Sequence, residues 1–142
     1  MKCSEIMTRE PITLTARDNI LAAAKLMRTH NVGFLPICDQ LHHVIGVITD
    51  RDIATRVVAE AVDPAACLVG HVMTKEILSC QPDEDTALIG AMMTQARKNR
   101  AVIVDDHGVL LGTVRLVDLA ARDGAVRAGE TLERLAKRER RP

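Results

Sequence analysis

Between Asp18 and His30 apolar side chains return at Ile20, Ala23, Ala24 and Met27. That i, i+3, i+4, i+7 spacing puts them on one face of a helix. Asp18 or Asn19 stands where an N-cap is needed. A short extended segment, Pro11 to Leu14, precedes this helix. Leu35-Pro36-Ile37-Cys38, a polar turn, and Val44 to Ile48 follow it and predict a β-hairpin. A second helix spans about Asp50 to Ala61 and stops before Asp63-Pro64, because proline disfavours helix in the residue before it.

The order then repeats. Ile77 to Cys80 is extended, and Thr86 to Ala96 predicts a helix with Ala87, Leu88, Ala91, Met92 and Gln95 spread round it. Ala101 to Val104 and Leu110 to Val114 bracket the turn Asp105-Asp106-His107-Gly108. Leu116 to Arg122 is the last repeat helix, and Gly124 is a stop in the left-handed conformation. Sliding the chain by 66 residues superposes the halves without a gap: Met7-Thr8 on Met73-Thr74, Met27 on Met93, Asp39 on Asp105, Gly46 on Gly112, Asp52 on Asp118. The predicted boundaries are a first motif over 1–61, a connector over 62–71, a second motif over 72–124 and a charged tail over 125–142.

The fold class expected is α/β (α+β), with two β-α-β-β-α repeats. A three-stranded sheet cannot cover both its faces alone, so the repeats are expected to pack sheet to sheet about a pseudo-twofold axis with two equivalent clefts. The chain has 142 residues, 47% of them hydrophobic, which suits one such module. A half of about 65–70 residues would be marginal alone.

Nineteen Lys and Arg balance nineteen Asp and Glu, and Phe34 is the single aromatic residue. Nucleic acid is therefore not an expected partner, since neither a basic surface nor a base-stacking platform is available. No apolar run approaches the roughly 20 residues that span a bilayer, and Met1–Ile6 lacks the apolar core of a secretory signal. Cys3, Cys38, Cys67 and Cys80 form no C-x-x-C spacing. Two disulfides stay open, but scattered reduced thiols in the cytoplasm are the simpler reading. Cys38, His42 and His43 alone fall short of the four ligands of a structural zinc site, so no metal is expected. Nucleophile elbow, P-loop and H-E-x-x-H strings are absent, and no enzyme activity is expected.

Three strings carry the functional signal. They are Met7-Thr8, then Gly33-Phe34-Leu35-Pro36-Ile37, then Gly46-Val47-Ile48-Thr49-Asp50-Arg51-Asp52. The second copy has Val72-Met73-Thr74 and Gly112-Thr113-Val114-Arg115-Leu116-Val117-Asp118. Gly46 leaves room for another backbone or for a ligand. Thr49 stands at a strand-to-helix junction, where free N–H groups and the helix dipole favour an anion. Asp52 offers acceptors that suit the paired hydroxyls of a ribose. T-x-x-D is equally close to a helix capping box, and both readings stay open. Arg115 removes the threonine from the second copy.

Over residues 4–122 the chain resembles the CBS family, whose motifs pair into a Bateman module. The resemblance implies a regulatory sensor for AMP, ADP, ATP or a related adenosyl ligand, with no required cofactor, a homodimer, and an effector protein as partner. By similarity the first site takes Thr8, Ile12, Gly33, Phe34, Pro36, Thr49, Arg51 and Asp52. The second takes Thr74, Leu78, Lys98, Asn99, Arg100, Arg115 and Asp118. Ile12 and Leu78 would wall the adenine slot, Phe34 would pack on a base or in the core, and Arg100 and Arg115 would bind phosphate. The alternative is a ligand-independent dimerising scaffold with degenerate clefts. The first site, with its complete G-x-x-T-x-x-D string, is expected to be the better one. The tail, with six Lys or Arg and three Glu over 127–142, is read as a solvated helix end, a dimer contact through Leu132 and Leu135, or a contact to an acidic partner or nucleic acid.

Overall fold

The computed structural model describes residues 1–122 together with Glu133, Ala136 and Lys137, so the tail expectations lie outside the described residues. A short 3-10 turn (Cys3–Glu5) leads into β1 (Thr8–Arg9), α1 (Ile20–His30), β2 (Phe34–Cys38), β3 (Val44–Thr49) and α2 (Asp50–Ile53). A π-helical turn (Ala54–Val58) extends α2. Then come α3 (Val69–Val72), β4 (Ser79–Cys80), α4 (Thr86–Ala96), β5 (Arg100–Val104), β6 (Leu110–Arg115) and α5 (Leu116–Arg122). The class is mixed α/β, as the pattern implied.

The chain divides into two compact units that cut across the repeats. One, here the Asp52 unit, contains Glu10–Ile77 and Asp105–Leu110. The other, the Asp118 unit, contains Met1–Arg9, Leu78–Val104 and the described residues from Leu111 to Arg122. Each repeat thus gives its leading segment to the body of the other repeat.

In the Asp118 unit the sheet order is β1-β6-β5-β4. β1 pairs antiparallel with β6, Thr8 facing Thr113 and Arg9 facing Gly112, and β4 lies parallel to β5. The Asp52 unit follows the same plan in shorter form. β2 and β3 form an antiparallel hairpin, with Leu14 bridging Ile37 on one edge and Thr74 bridging Val47 on the other. Val47 and Thr74 exchange both backbone hydrogen bonds, at 2.9 and 2.8 Å. The expected three-stranded sheets are therefore completed by a fourth, borrowed edge. The expected strand Pro11 to Leu14 shrinks to that single Leu14 bridge.

Glycine is what admits the borrowed edge. A Cβ on Gly112 would lie 2.6 Å from the Thr8 carbonyl oxygen, and one on Gly46 would lie 2.5 Å from Met73 Sδ. Of the two options open for Gly46, backbone or ligand, the approaching chain is the one realised.

The α1 face buries as its periodicity requires, whereas the buried residues of α4 are not those its pattern singled out. Ile20, Ala23 and Met27 of α1 join Leu35, Ile37, Ile48, Val57 and Val69 in one core. In α4 the fully buried residues are Ile89 and Met93, one turn apart, while Leu88 is exposed. These pack with Ala101, Ile103, Val114, Leu116 and Leu119. The Asn19 side chain accepts from the Ala22 N–H and caps α1, and both α1 and α4 end on left-handed residues, Asn31 and Arg97.

The single helix expected over Asp50 to Ala61 departs from regular geometry. Ala59 N–H bonds to the Ala54 carbonyl, an i to i+5 step, and Ala61 closes the segment at a φ of 54°. The wider turn keeps Val57 buried and lets Arg56 reach back to the Val72 carbonyl at 2.9 Å.

The two glycine contacts differ in what they strike. At Gly112 the obstacle is backbone; at Gly46 the nearest atom is the end of a flexible side chain. Gly112→Ala is expected to destabilise by about 1–3 kcal/mol, as overpacking does, and Gly46→Ala by less. Urea unfolding of both variants checks the order, and the reverse order would contradict this account of β1.

Candidate functional site

β3 ends at Thr49 and α2 begins at Asp50, so the T-x-x-D string spans the strand-to-helix junction. The capping box is formed there. Thr49 Oγ1 accepts from the Asp52 N–H at 3.1 Å, and Asp52 Oδ2 accepts from the Thr49 N–H at 3.0 Å. Thr74, on the borrowed edge, points its hydroxyl at the same carboxylate, 3.3 Å from Oδ2 and 3.4 Å from Oδ1. Arg56 Nε lies 3.8 Å from Oδ1. Only 13% of the Asp52 side chain is exposed.

The two oxygens are thus unequal. Oδ2 is committed to the helix cap, whereas every contact to Oδ1 is longer than the usual 2.5–3.0 Å of an O–H···O bond. Oδ1 retains acceptor capacity at a half-buried position.

The helix start itself offers no free anion site. Asp50 N–H donates to the Gly33 carbonyl at 3.0 Å, and Arg51 N–H donates to Asp50 Oδ1 at 2.8 Å. Asp50 Oδ2 would sit 2.6 Å from a Cβ on Gly33, so the carboxylate covers that glycine. A phosphate at this helix start, as the sequence leads one to expect, would meet the Asp50 carboxylate, which the same dipole favours there.

The second copy replaces the capping box with an ion pair. Arg115 Nε and Nη2 donate to Asp118 Oδ2 and Oδ1 at 2.9 and 2.8 Å, a two-pronged grip on both oxygens. This pairing holds the Arg115 guanidinium above its ordinary pKa. Arg115, expected as a phosphate ligand, here has its fork on Asp118. Leu116 N–H bonds to the Asn99 carbonyl at 2.9 Å, repeating the Asp50–Gly33 contact with no carboxylate above it.

The remaining residues fall into place around these junctions. Thr8 and Thr74 exchange partners relative to the grouping by repeat: Thr74 joins Asp52, and Thr8 pairs with Thr113 in the Asp118 unit. Phe34 is half-buried and faces Thr49 across the hairpin. Pro36 is fully buried, with its carbonyl bound to Leu14, so it belongs to the core and not to an accessible edge. Ile12 is 36% exposed, and Leu78 packs on the core of the Asp118 unit. Arg51 is exposed, Lys98 and Arg100 are half-buried, and Arg100 Nη1 bonds to the Asn99 carbonyl at 3.2 Å. Asp50 is the residue that motif reasoning passed over. Its signal was there: an acidic side chain at the first helical position, opposite a glycine.

Among the described residues no three His, Cys, Asp or Glu side chains converge to hold a metal, and no helix is long and apolar enough to cross a membrane.

The two junctions should respond differently to truncation. Thr49→Ala removes a cap and is expected to destabilise by about 1 kcal/mol. Arg115→Ala breaks an exposed pair and is expected to cost no more than about 1 kcal/mol, and less in high salt. Denaturant unfolding at two salt concentrations separates them. A larger loss for Arg115→Ala would contradict its description as a surface pair.

The geometry has counterparts in known proteins. A CBS-domain family model matches residues 3–59 and 69–123. The chain is 37% identical over 116 residues to the CBS domain-containing protein YhcV of Bacillus subtilis, covering 82% of this chain and 81% of that one. It is 28% identical to hypoxic response protein 1 of Mycobacterium tuberculosis, covering 82% and 80%. Among solved structures, the CBS domain pair of protein MJ0100, in complex with 5′-methylthioadenosine and S-adenosyl-L-methionine, aligns with a TM-score of 0.78 and 27% identity over 87% of this chain and all of that one. A CBS domain protein of unknown function from Thermoplasma acidophilum shares the fold, with a TM-score of 0.83 at 24% identity over 96% of this chain and 76% of that one. With both repeats matched and the Met-Thr, glycine and T-x-x-D positions each given a structural part, this chain belongs to the CBS-domain family.

Proposed function

We propose that the chain is a non-catalytic regulatory module that binds an adenosyl ligand, with the ribose on Asp52. The observation that carries this reading is the unequal carboxylate. Oδ2 is fixed by the Thr49 N–H, while Oδ1 keeps acceptor capacity beside Thr74 and Phe34's strand end. A ribose presents two adjacent hydroxyl donors, and an ionised carboxylate held in place accepts them at little ordering cost.

The electrostatics of the same junction select among adenosyl ligands. Asp50 and Asp52 put two carboxylates within the first turn of α2. A phosphate there would meet like charge, whereas a neutral methylthio group or a sulfonium would not. The reading is thus narrowed from AMP, ADP or ATP to ligands with a neutral or cationic 5′ substituent. That the MJ0100 domain pair, 27% identical, was solved with methylthioadenosine and S-adenosylmethionine supports this choice. The Asp118 junction is read as a closed counterpart, since Arg115 already satisfies both carboxylate oxygens. Ligand occupancy would act on a partner protein through a homodimer of the module in the cytoplasm.

Thermal shift tests the proposal with methylthioadenosine, S-adenosylmethionine, AMP and ATP against the wild type, Asp50→Asn and Asp52→Asn. At 100 times Kd a ligand stabilises by about 2.7 kcal/mol. The two sulfur-containing ligands are expected to raise Tm in the wild type and to lose that effect in Asp52→Asn. Asp50→Asn is expected to gain a response to AMP. No response to any ligand at millimolar concentration would end the binding proposal. A wild-type preference for ATP would leave binding standing and remove the role given to Asp50.

A further inference from the structure

Cys3 and Cys80 lie 77 residues apart in sequence, yet Cys80 donates a hydrogen bond to Cys3 with the sulfurs 3.5 Å apart. Both belong to the Asp118 unit, Cys3 in the turn before β1 and Cys80 on β4. Both are buried, at 0% and 4% exposure. The repeat supplies a control. Sixty-six residues from them stand Val69 and Leu14, buried in the core of the Asp52 unit. The same two places are filled by plain hydrocarbon in one unit and by two thiols in the other. Burial alone therefore does not call for sulfur. Cys38 and Cys67 are buried too, but neither has a sulfur as hydrogen-bond partner among the described residues.

We propose that Cys3 and Cys80 are an oxidation site, forming a reversible disulfide with hydrogen peroxide as oxidant. The sulfurs need to close from 3.5 Å to the bond length of about 2.05 Å, through side-chain rotation and adjustment of the 3-10 turn that carries Cys3. Cys3 is the attacking sulfur. Burial raises its pKa, the Cys80 S–H that it accepts works against this rise, and the Glu84 and Asp85 carboxylates add to it. Cys80 is pushed up further, by burial first and then by Cys3. The Cys3 thiolate takes one peroxide oxygen, breaking the O–O bond and giving a sulfenic acid and hydroxide, which becomes water on protonation. The Cys80 thiol then displaces the sulfenic oxygen as a second water, forming the S–S bond. Two thiols and one peroxide give one disulfide and two waters.

The bond would tie the turn before β1 to β4. The leading segment is held by Cys3 N–H to the Glu84 carbonyl, Ser4 N–H to the Pro82 carbonyl and Thr86 N–H to the Met1 carbonyl, each 2.9 Å. It carries β1, the edge partner of β6. Oxidation would add a covalent tie to an edge now held by hydrogen bonds.

Peroxide treatment of the native full chain, followed by non-reducing peptide mass mapping and thermal unfolding, tests the proposal. The expected product is a cross-linked peptide joining Cys3 to Cys80, two hydrogens lighter, with Cys38 and Cys67 still free. Tm is expected to rise on oxidation and to return with dithiothreitol. Cys3→Val, which copies Val69, is expected to fold and to show neither the link nor the rise. A different pairing, irreversible sulfinic acid at either cysteine, or four free thiols after excess peroxide would each overturn the proposal, and the wild-type map decides this even should the variant fail to fold.

Discussion

Everything in this chain hangs on two glycines that let a foreign backbone come close. Gly112 admits Thr8 and Gly46 admits Met73-Thr74, and without those approaches neither sheet has its outer strand. A side chain at Gly112 would strike the Thr8 carbonyl, and one at Gly46 would displace Met73 Sδ and crowd the Thr74 carbonyl. Because each edge comes from the other repeat, neither 66-residue half contains all of its own sheet. The two repeats are bound by backbone hydrogen bonds as much as by connectivity.

The same constraint builds the candidate site. The exchanged segment brings Thr74, not Thr8, to the Asp52 carboxylate, where it meets the helix cap formed by Thr49. A capping box and a binding site need not be alternatives when the carboxylate has two oxygens. One satisfies the helix terminus and the other stays available. In the Asp118 unit a single substitution changes that division: Arg115 is long enough to claim both oxygens. One scaffold thus carries two junctions of opposite disposition, and the difference lies in side-chain reach and charge rather than in backbone.

Much of this was legible in the sequence because periodicity records burial. The span of α4 follows from its pattern, and side-chain chemistry narrows the α1 cap to Asp18 or Asn19, of which Asn19 takes it. The unequal junctions were legible too, since Arg115 stands where Thr49 does. What periodicity does not record is which strand sits beside which. Thr8 and Thr74 occupy identical places in the repeat, so pattern alone assigns each to its own half, and only the crowding at Gly46 and Gly112 decides otherwise. Asp50 was missed for a related reason. Its carboxylate matters through a contact with Gly33, 17 positions away, that no local motif encodes. The π-helical turn after Ile53, from which Arg56 reaches the Val72 carbonyl, likewise has no signature in the local pattern.

The exchange of leading segments is the claim on which the sheets and the site both rest, and cross-strand nuclear Overhauser effects measure it directly. The account predicts backbone contacts between Thr8 and Thr113 and between Thr74 and Val47. Contacts between Thr8 and Val47 and between Thr74 and Thr113, each repeat closing its own sheet, would contradict it.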